Sequence, residues 1–203
     1  MTMTTAHLTA HDTDATLTRA WQVLEAVPDP EIPVVSIREL GILRELRRAH
    51  DGTLEVVITP TYSGCPAMSQ IAEDIGRALD DAALAPYRIV TVLAPAWTTD
   101  WITAEAREKL RAYGIAPPGG SCAASADDNE SDGPGSGRTP AAANPARVNA
   151  KIIRFVARPA APPPCPRCGS THTERLAQFG STACKALYRC LDCREPFDYF
   201  KPY

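Results

Sequence analysis

Between residues 14 and 117 the apolar positions switch repeatedly between helical and strand spacing. Leu17, Ala20, Trp21, Leu24 and Val27 recur three or four apart, which predicts a helix with one apolar stripe. Thr13 or Asp14 would cap its start. Pro28 and Pro30 end it, because proline donates no helical hydrogen bond and restricts the residue before it. Asp29-Pro30-Glu31-Ile32-Pro33 then reads as a rigid acidic turn, and residues 34–40 lead to Gly41. Residues 42–49 and 53–59 form a hairpin closed by Asp51-Gly52, a pair that tolerates positive φ at both central positions of a tight turn. Leu54, Val56 and Ile58 mark the buried face of its second strand. After Thr61-Tyr62-Ser63-Gly64-Cys65-Pro66 comes a second helix, with Pro66 suited to the first turn and a stripe of Met68, Ile71, Ala72, Ile75, Ala78 and Leu79. Residues 87–93 form a third strand and Pro95-Ala96-Trp97 a loop. Residues 103–113 form a last helix with Leu110 and Tyr113 inward and Gly114 as its left-handed terminator. Trp97 and Trp101 read as core or interface anchors. The expected class is α+β: a small two-layer α/β domain over residues 14–117, a short mixed sheet with helices.

The flanks lack such periods. Residues 1–13 are polar, Thr-rich and expected to be disordered. Residues 118–147 are Pro, Gly, Ser, Ala and Asp with almost no large apolar side chain, a composition that cannot offset its ordering entropy and predicts a flexible linker. Residues 148–156 suit a strand and 159–164 a stiff spacer. A cysteine-rich domain over residues 148–203 completes the chain.

The cysteines change the picture most. Cys165-Pro166-Arg167-Cys168 and Cys190-Leu191-Asp192-Cys193 are two Cys-x-x-Cys knuckles, each able to aim two sulfurs at one ion. Gly169 supplies the unusual backbone angle after the first. Together they offer the tetrahedral S4 shell that zinc favours, on a zinc-ribbon plan with strands over residues 173–179, 187–189 and 196–200. Iron in a rubredoxin-like site suits the same geometry. Residues 165–203 carry six Lys/Arg and four Asp/Glu, so four thiolates and one dication bring this stretch from +2 to about zero. A closed site holds a fold and does no hydrolysis. Cys184 is a fifth thiol, either small and buried or an alternative ligand, and His172 reads as a surface residue. Cys122 lies in the linker.

Cys65 follows a glycine and opens a helix, where free N–H groups lower a thiol pKa. It is a candidate nucleophile, a ligand for a transferred metal or iron–sulfur cluster, or simply a small buried hydrophobe. Asp29 and Glu31 could add carboxylates. No histidine is well placed as its base: His50 falls at the hairpin turn, and His7 and His11 precede the first helix. A net charge of −3 and pI near 5.8 argue against a nucleic-acid binder. The start of the chain is not a secretory leader, and no apolar run reaches the ~18 residues that span a bilayer. A cytoplasmic chain without membrane attachment is expected, in which thiols stay reduced and serve metals.

Four stretches carry a resemblance: Asp29-Pro30-Glu31-Ile32-Pro33, Ser36-Ile37-Arg38-Glu39-Leu40-Gly41-Ile42, the run from Thr59 through Cys65-Pro66, and Pro95-Ala96-Trp97-Thr98-Thr99-Asp100-Trp101. They resemble the domain shared by cytosolic iron–sulfur targeting factors and bacterial Suf-associated maturation proteins. With Phe179-Gly180-Ser181-Thr182-Ala183-Cys184-Lys185 and Glu195-Pro196-Phe197-Asp198-Tyr199-Phe200-Lys201, the chain resembles the D-subunit family of bacterial phenylacetyl-CoA epoxidase. The resemblance implies an accessory protein, not a catalyst, that accompanies a di-iron hydroxylase and a flavin/iron–sulfur reductase in aerobic phenylacetate breakdown. It also implies assistance in assembling a metal or iron–sulfur centre, with Cys65 carrying transfer and Asp29 and Glu31 nearby. Iron–sulfur assembly machinery is a further implied partner. The other reading open to such a protein is a structural, docking one.

Overall fold

The computed structural model of the chain describes residues 10–119 and 161–202. The expected linker, Cys122, His7 and the strand expected over residues 148–156 lie outside them.

Helix α1, Ala10–Leu24, starts ahead of Thr13 and Asp14, so it begins earlier than expected and takes in residues 10–13, expected to be disordered, and with them His11. Ala20 and Leu24 are fully buried, with Leu17 and Trp21 half-buried beside them. Strands β1 (Leu43–Arg48) and β2 (Leu54–Ile58) pair antiparallel, and β2 pairs in parallel with β3 (Tyr87–Thr91). A parallel pair needs a crossover, here supplied by α2, Ala67–Asp81. Its inner stripe is Ile71, Ile75 and Leu79. Because β2 is the middle strand, Val57 is buried as well as Leu54, Val56 and Ile58. Each strand of the hairpin is one residue shorter at each end than expected, and the loop is wider than a two-residue turn. Ala49 and Thr53 close a wider loop, only Gly52 has positive φ (+81°), and Asp51 Oδ1 accepts from the Thr53 N–H instead of entering the left-handed region.

Gly41 has φ +72°, and a Cβ there would fall 2.6 Å from Trp101 Cβ. Both the backbone angle and the contact exclude a side chain. Gly41→Ala is expected to destabilise the fold by about 1–3 kcal/mol, read as a shift of the urea midpoint with unchanged slope. The next two segments are a 3-10 turn, Thr99–Trp101, and helix α3, Ala104–Tyr113, capped by the Thr103 side chain and ended by Gly114 at φ +97°. Leu110 is fully buried as expected. Tyr113 is not inward: it is 53% exposed, because the inward row of α3 runs through Ala106 and Leu110.

The ribbon strands are β5 (Thr173–Ala177), β6 (Lys185–Cys190) and β7 (Pro196–Phe200), joined antiparallel. A fourth strand comes from the first half of the chain: β4, Ile115–Ala116, pairs in parallel with β7 and gives the order β4-β7-β6-β5. Residues 10–119 and 162–202 accordingly belong to one compact unit. The ribbon keeps a small core of its own, Ala116, Cys165, Cys190 and Phe197 under Tyr188 and Tyr199. Phe200 and Cys184 instead join the main core with Leu24, Ile32 and Trp97. The Trp97 indole N–H donates to the Leu40 carbonyl (2.9 Å), and its ring packs on Phe200 with centroids 6.0 Å apart. Arg167 of the first knuckle covers Gly114. No described helix is long and apolar enough to cross a membrane.

Candidate metal and thiol sites

The four knuckle cysteines converge. Cys165 and Cys193 sulfurs are 3.8 Å apart and Cys168 and Cys190 sulfurs 3.6 Å apart. A tetrahedral ion with metal–sulfur bonds of about 2.3 Å sets its sulfurs about 3.8 Å from one another, so two of the six sulfur–sulfur edges already match, and all four sulfurs lie within 4.8 Å of one another, as one zinc or iron ion requires. Among the described residues they are the one group of three or more ligating side chains within 4.8 Å of one another. Gly169 has φ +77° and its N–H donates to Cys165 O, so the knuckle forms a tight turn. The Cys193 N–H, 3.5 Å from Cys190 Sγ, pulls the Cys190 thiol down to about 6. His172 is exposed and 3.2 Å from an Asp192 carboxylate, outside the sulfur cluster.

A second constellation forms around Cys65. Asp29 is 5% exposed, and its Oδ1 accepts from the Glu31 N–H (2.9 Å) and the Ile32 N–H (2.8 Å), which fixes the acidic turn. Glu31 Oε2 lies 3.8 Å from Cys184 Sγ, although the two residues are 153 positions apart. The Thr182 hydroxyl is 3.0 Å from the same sulfur. Tyr62 feels both thiols. Burial first, then the neighbouring Cys65, Glu31 and Cys184, push its hydroxyl up to about 12. The sequence expectation for Cys65 needs correction. Burial raises its pKa, the Ala67 N–H at the start of α2 opposes this, and Glu31 and Asp29 raise it further, with a net rise. The helix start is outweighed by desolvation and two carboxylates. Burial likewise pushes Cys184 up to about 11 against the pull of Thr182.

Asp29 offers a pH test. Burial raises its carboxyl pKa above 3.8, more than its two backbone hydrogen bonds lower it. Its stabilising neutral form is complete below the unfolded-state value, and the contribution is lost as pH rises through the folded-state value. Asp29→Asn keeps the Oδ1 acceptor without the charge. It is expected to match or exceed the wild-type melting temperature at pH 7, with any gain disappearing below the ordinary carboxyl range. A large loss at pH 7 would contradict this.

Cys65, Asp29 and Glu31 thus lie in one environment, and the four ribbon cysteines in another. Tyr62 and Lys185 were not signalled by the sequence pattern. Cys184 stood out as a fifth thiol, but nothing local pointed to its partners.

A two-layer mixed-sheet body fused to a four-cysteine ribbon defines a class. Residues 17–94 match the family described as iron–sulfur cluster assembly protein, and residues 153–201 match the PaaD zinc beta ribbon domain. The chain belongs to the D-subunit family of phenylacetyl-CoA epoxidase: it is 44% identical over 89% of its length, and 90% of the relative's, to an Escherichia coli (strain K12) protein provisionally named as the D subunit of 1,2-phenylacetyl-CoA epoxidase. It is also 31% identical, over 44% of its length and 85% of the relative's, to an Fe-S protein maturation auxiliary factor of Porphyromonas gingivalis (strain ATCC BAA-308 / W83). The crystal structure of a domain of unknown function, DUF59, from Bacillus anthracis is 26% identical with a TM-score of 0.46, covering 50% of this chain and 97% of that one.

Proposed function

We propose that this chain is a cytoplasmic accessory component of a phenylacetyl-CoA epoxidase system that assists assembly of a metal or iron–sulfur centre in the oxygenase and is not itself a catalyst. It works beside the hydroxylase and reductase components of that system, and draws on iron–sulfur assembly machinery. The ribbon cysteines Cys165, Cys168, Cys190 and Cys193 hold a structural zinc ion. Cys65 carries the transient iron or cluster, with Asp29 and Glu31 as its acidic surroundings.

The observation that carries this reading is the environment of Cys65: a half-buried thiol beside two carboxylates, held protonated. Such a thiol is a weak nucleophile at neutral pH, which argues against thiol catalysis. A metal ion, in contrast, removes the proton outright on binding and is attracted by the carboxylates. In cells expressing the oxygenase with Cys65→Ser in place of the wild-type chain, purified hydroxylase–reductase complex is expected to contain less iron, while the variant retains its one structural zinc. Normal iron, with stable stoichiometric association of the variant, would instead assign a structural docking role.

A further inference from the structure

The thiol constellation takes residues from both halves of the chain. Lys185 opens β6 in the ribbon and Cys184 immediately precedes it, while Cys65, Tyr62, Asp29 and Glu31 belong to the body. Cys184 is 4% exposed, and it is buried against the body, not in the ribbon's own core. Its sulfur is 3.8 Å from Glu31 Oε2. Two donors on one tetrahedral dication, a sulfur at about 2.3 Å and an oxygen at about 2.0 Å, stand about 3.5 Å apart. Cys184 and Glu31 are therefore within a few tenths of an ångström of a ligand pair.

Charge points the same way. The Lys185 ammonium, which acts on Asp29 and Cys184, is 4% exposed and also engaged by Asp198 at 3.4 Å. The cluster is short of positive charge. Asp29 spends Oδ1 on two backbone N–H groups, one of them that of Glu31. It is the positioning residue, and Glu31 is the donor.

We propose that docking of the ribbon completes a second cation site, in which Cys184 and Glu31 are a preset thiolate–carboxylate pair and Cys65 supplies a second sulfur to a divalent transition metal of borderline softness. The inference rests on the reading of Cys65 as a carrier and deepens it by naming the other donors. Binding replaces two S–H bonds by two metal–sulfur bonds and releases two protons to solvent, with no change of oxidation state. The three donor atoms do not lie within 4.8 Å of one another without the ion, so Cys65 closes the third edge by turning its side chain. It is half-buried and follows the exposed Gly64, at φ +113°. The mixed sulfur and oxygen set suits Fe2+ and Zn2+ better than Mg2+ or Ca2+.

The test is an anaerobic Co2+ titration of the full chain already carrying one Zn2+ per molecule, followed by thiolate-to-cobalt charge-transfer absorption and by zinc retention. Wild type is expected to bind one further Co2+ without releasing zinc. Cys184→Ser and Cys65→Ser should each halve the charge-transfer intensity and weaken binding at least about tenfold. Glu31→Gln should weaken binding similarly with the intensity retained. Glu31 is only partly buried, so its variant gives an independent answer should Cys184→Ser fail to fold. No second Co2+, or Glu31→Gln binding like wild type, overturns the proposal. Loss with Cys65→Ser alone would overturn the shared site and leave Cys65 as a solitary carrier. A second Co2+ with all three dependences, alongside normal oxygenase iron in the Cys65→Ser strain, would keep the site and remove the function proposed above.

Discussion

Phe200→Ala is expected to lower the unfolding free energy by about 3–5 kcal/mol, the range for deleting a fully buried aromatic ring. Phe200 is 1% exposed, yet it lies three residues from the end of the chain, on the ribbon's last strand. Its ring fills the main core against Trp97 rather than the ribbon core. The loss should appear in the unfolding of residues 10–119 as well as in the ribbon, followed by urea denaturation with the fluorescence of Trp21, Trp97 and Trp101. Phe197→Ala, in the ribbon's own core, makes the contrast. Equal melting of the body in wild type and Phe200→Ala would mean that the two halves unfold independently.

The second large effect concerns the four-cysteine site. A structural zinc site contributes about 10–16 kcal/mol of apparent binding free energy, against a whole-domain stability of about 5–15 kcal/mol. The ribbon core of four buried residues cannot replace that. Exhaustive chelation, or Cys190→Ser, is expected to abolish hydrogen-exchange protection across β5, β6 and β7. The body should then lose Phe200 and Cys184 from its core and melt at a lower temperature. Cys184, shielded in the intact protein, should become reactive to a thiol reagent, read by mass spectrometry of its peptide. A chelated chain that keeps Cys184 protected would show that the ribbon holds its place without the ion.

Much of this was legible in the sequence, and the reasons are local. The helix of Ile71, Ile75 and Leu79 declared itself through spacing alone, as did the central strand of Leu54, Val56 and Ile58. The knuckles were legible because a two-residue gap between cysteines has few other structural uses in a reduced compartment. What failed to show was of two kinds. Tyr113 and the hairpin loop were misjudged because a single outer turn of helix, or one extra loop residue, changes no periodicity. The joining of the halves was hidden for a different reason: Ile115-Ala116 is too short to alternate, and Phe200 looks the same in a sequence whether it faces its own ribbon or a distant tryptophan. The Cys184–Glu31 approach spans 153 positions and is encoded by neither neighbourhood. The pKa of Cys65 went the wrong way because a helix start is visible in sequence while the burial that outweighs it is not; Glu31 and Asp29, expected nearby, push in the same direction as burial.

The pairing of β4 with β7 has a topological consequence. Pro118, whose carbonyl takes the Arg107 guanidinium at 2.7 Å, and Pro163, whose carbonyl takes the Thr173 hydroxyl at 2.8 Å, are two anchored points on one unit. The segment between them is closed at both ends, and for any flexible loop held in this way the cost of closure is the entropy of closing a ring. That entropy grows with the logarithm of length, so doubling such a loop changes stability by about 0.6 kcal/mol.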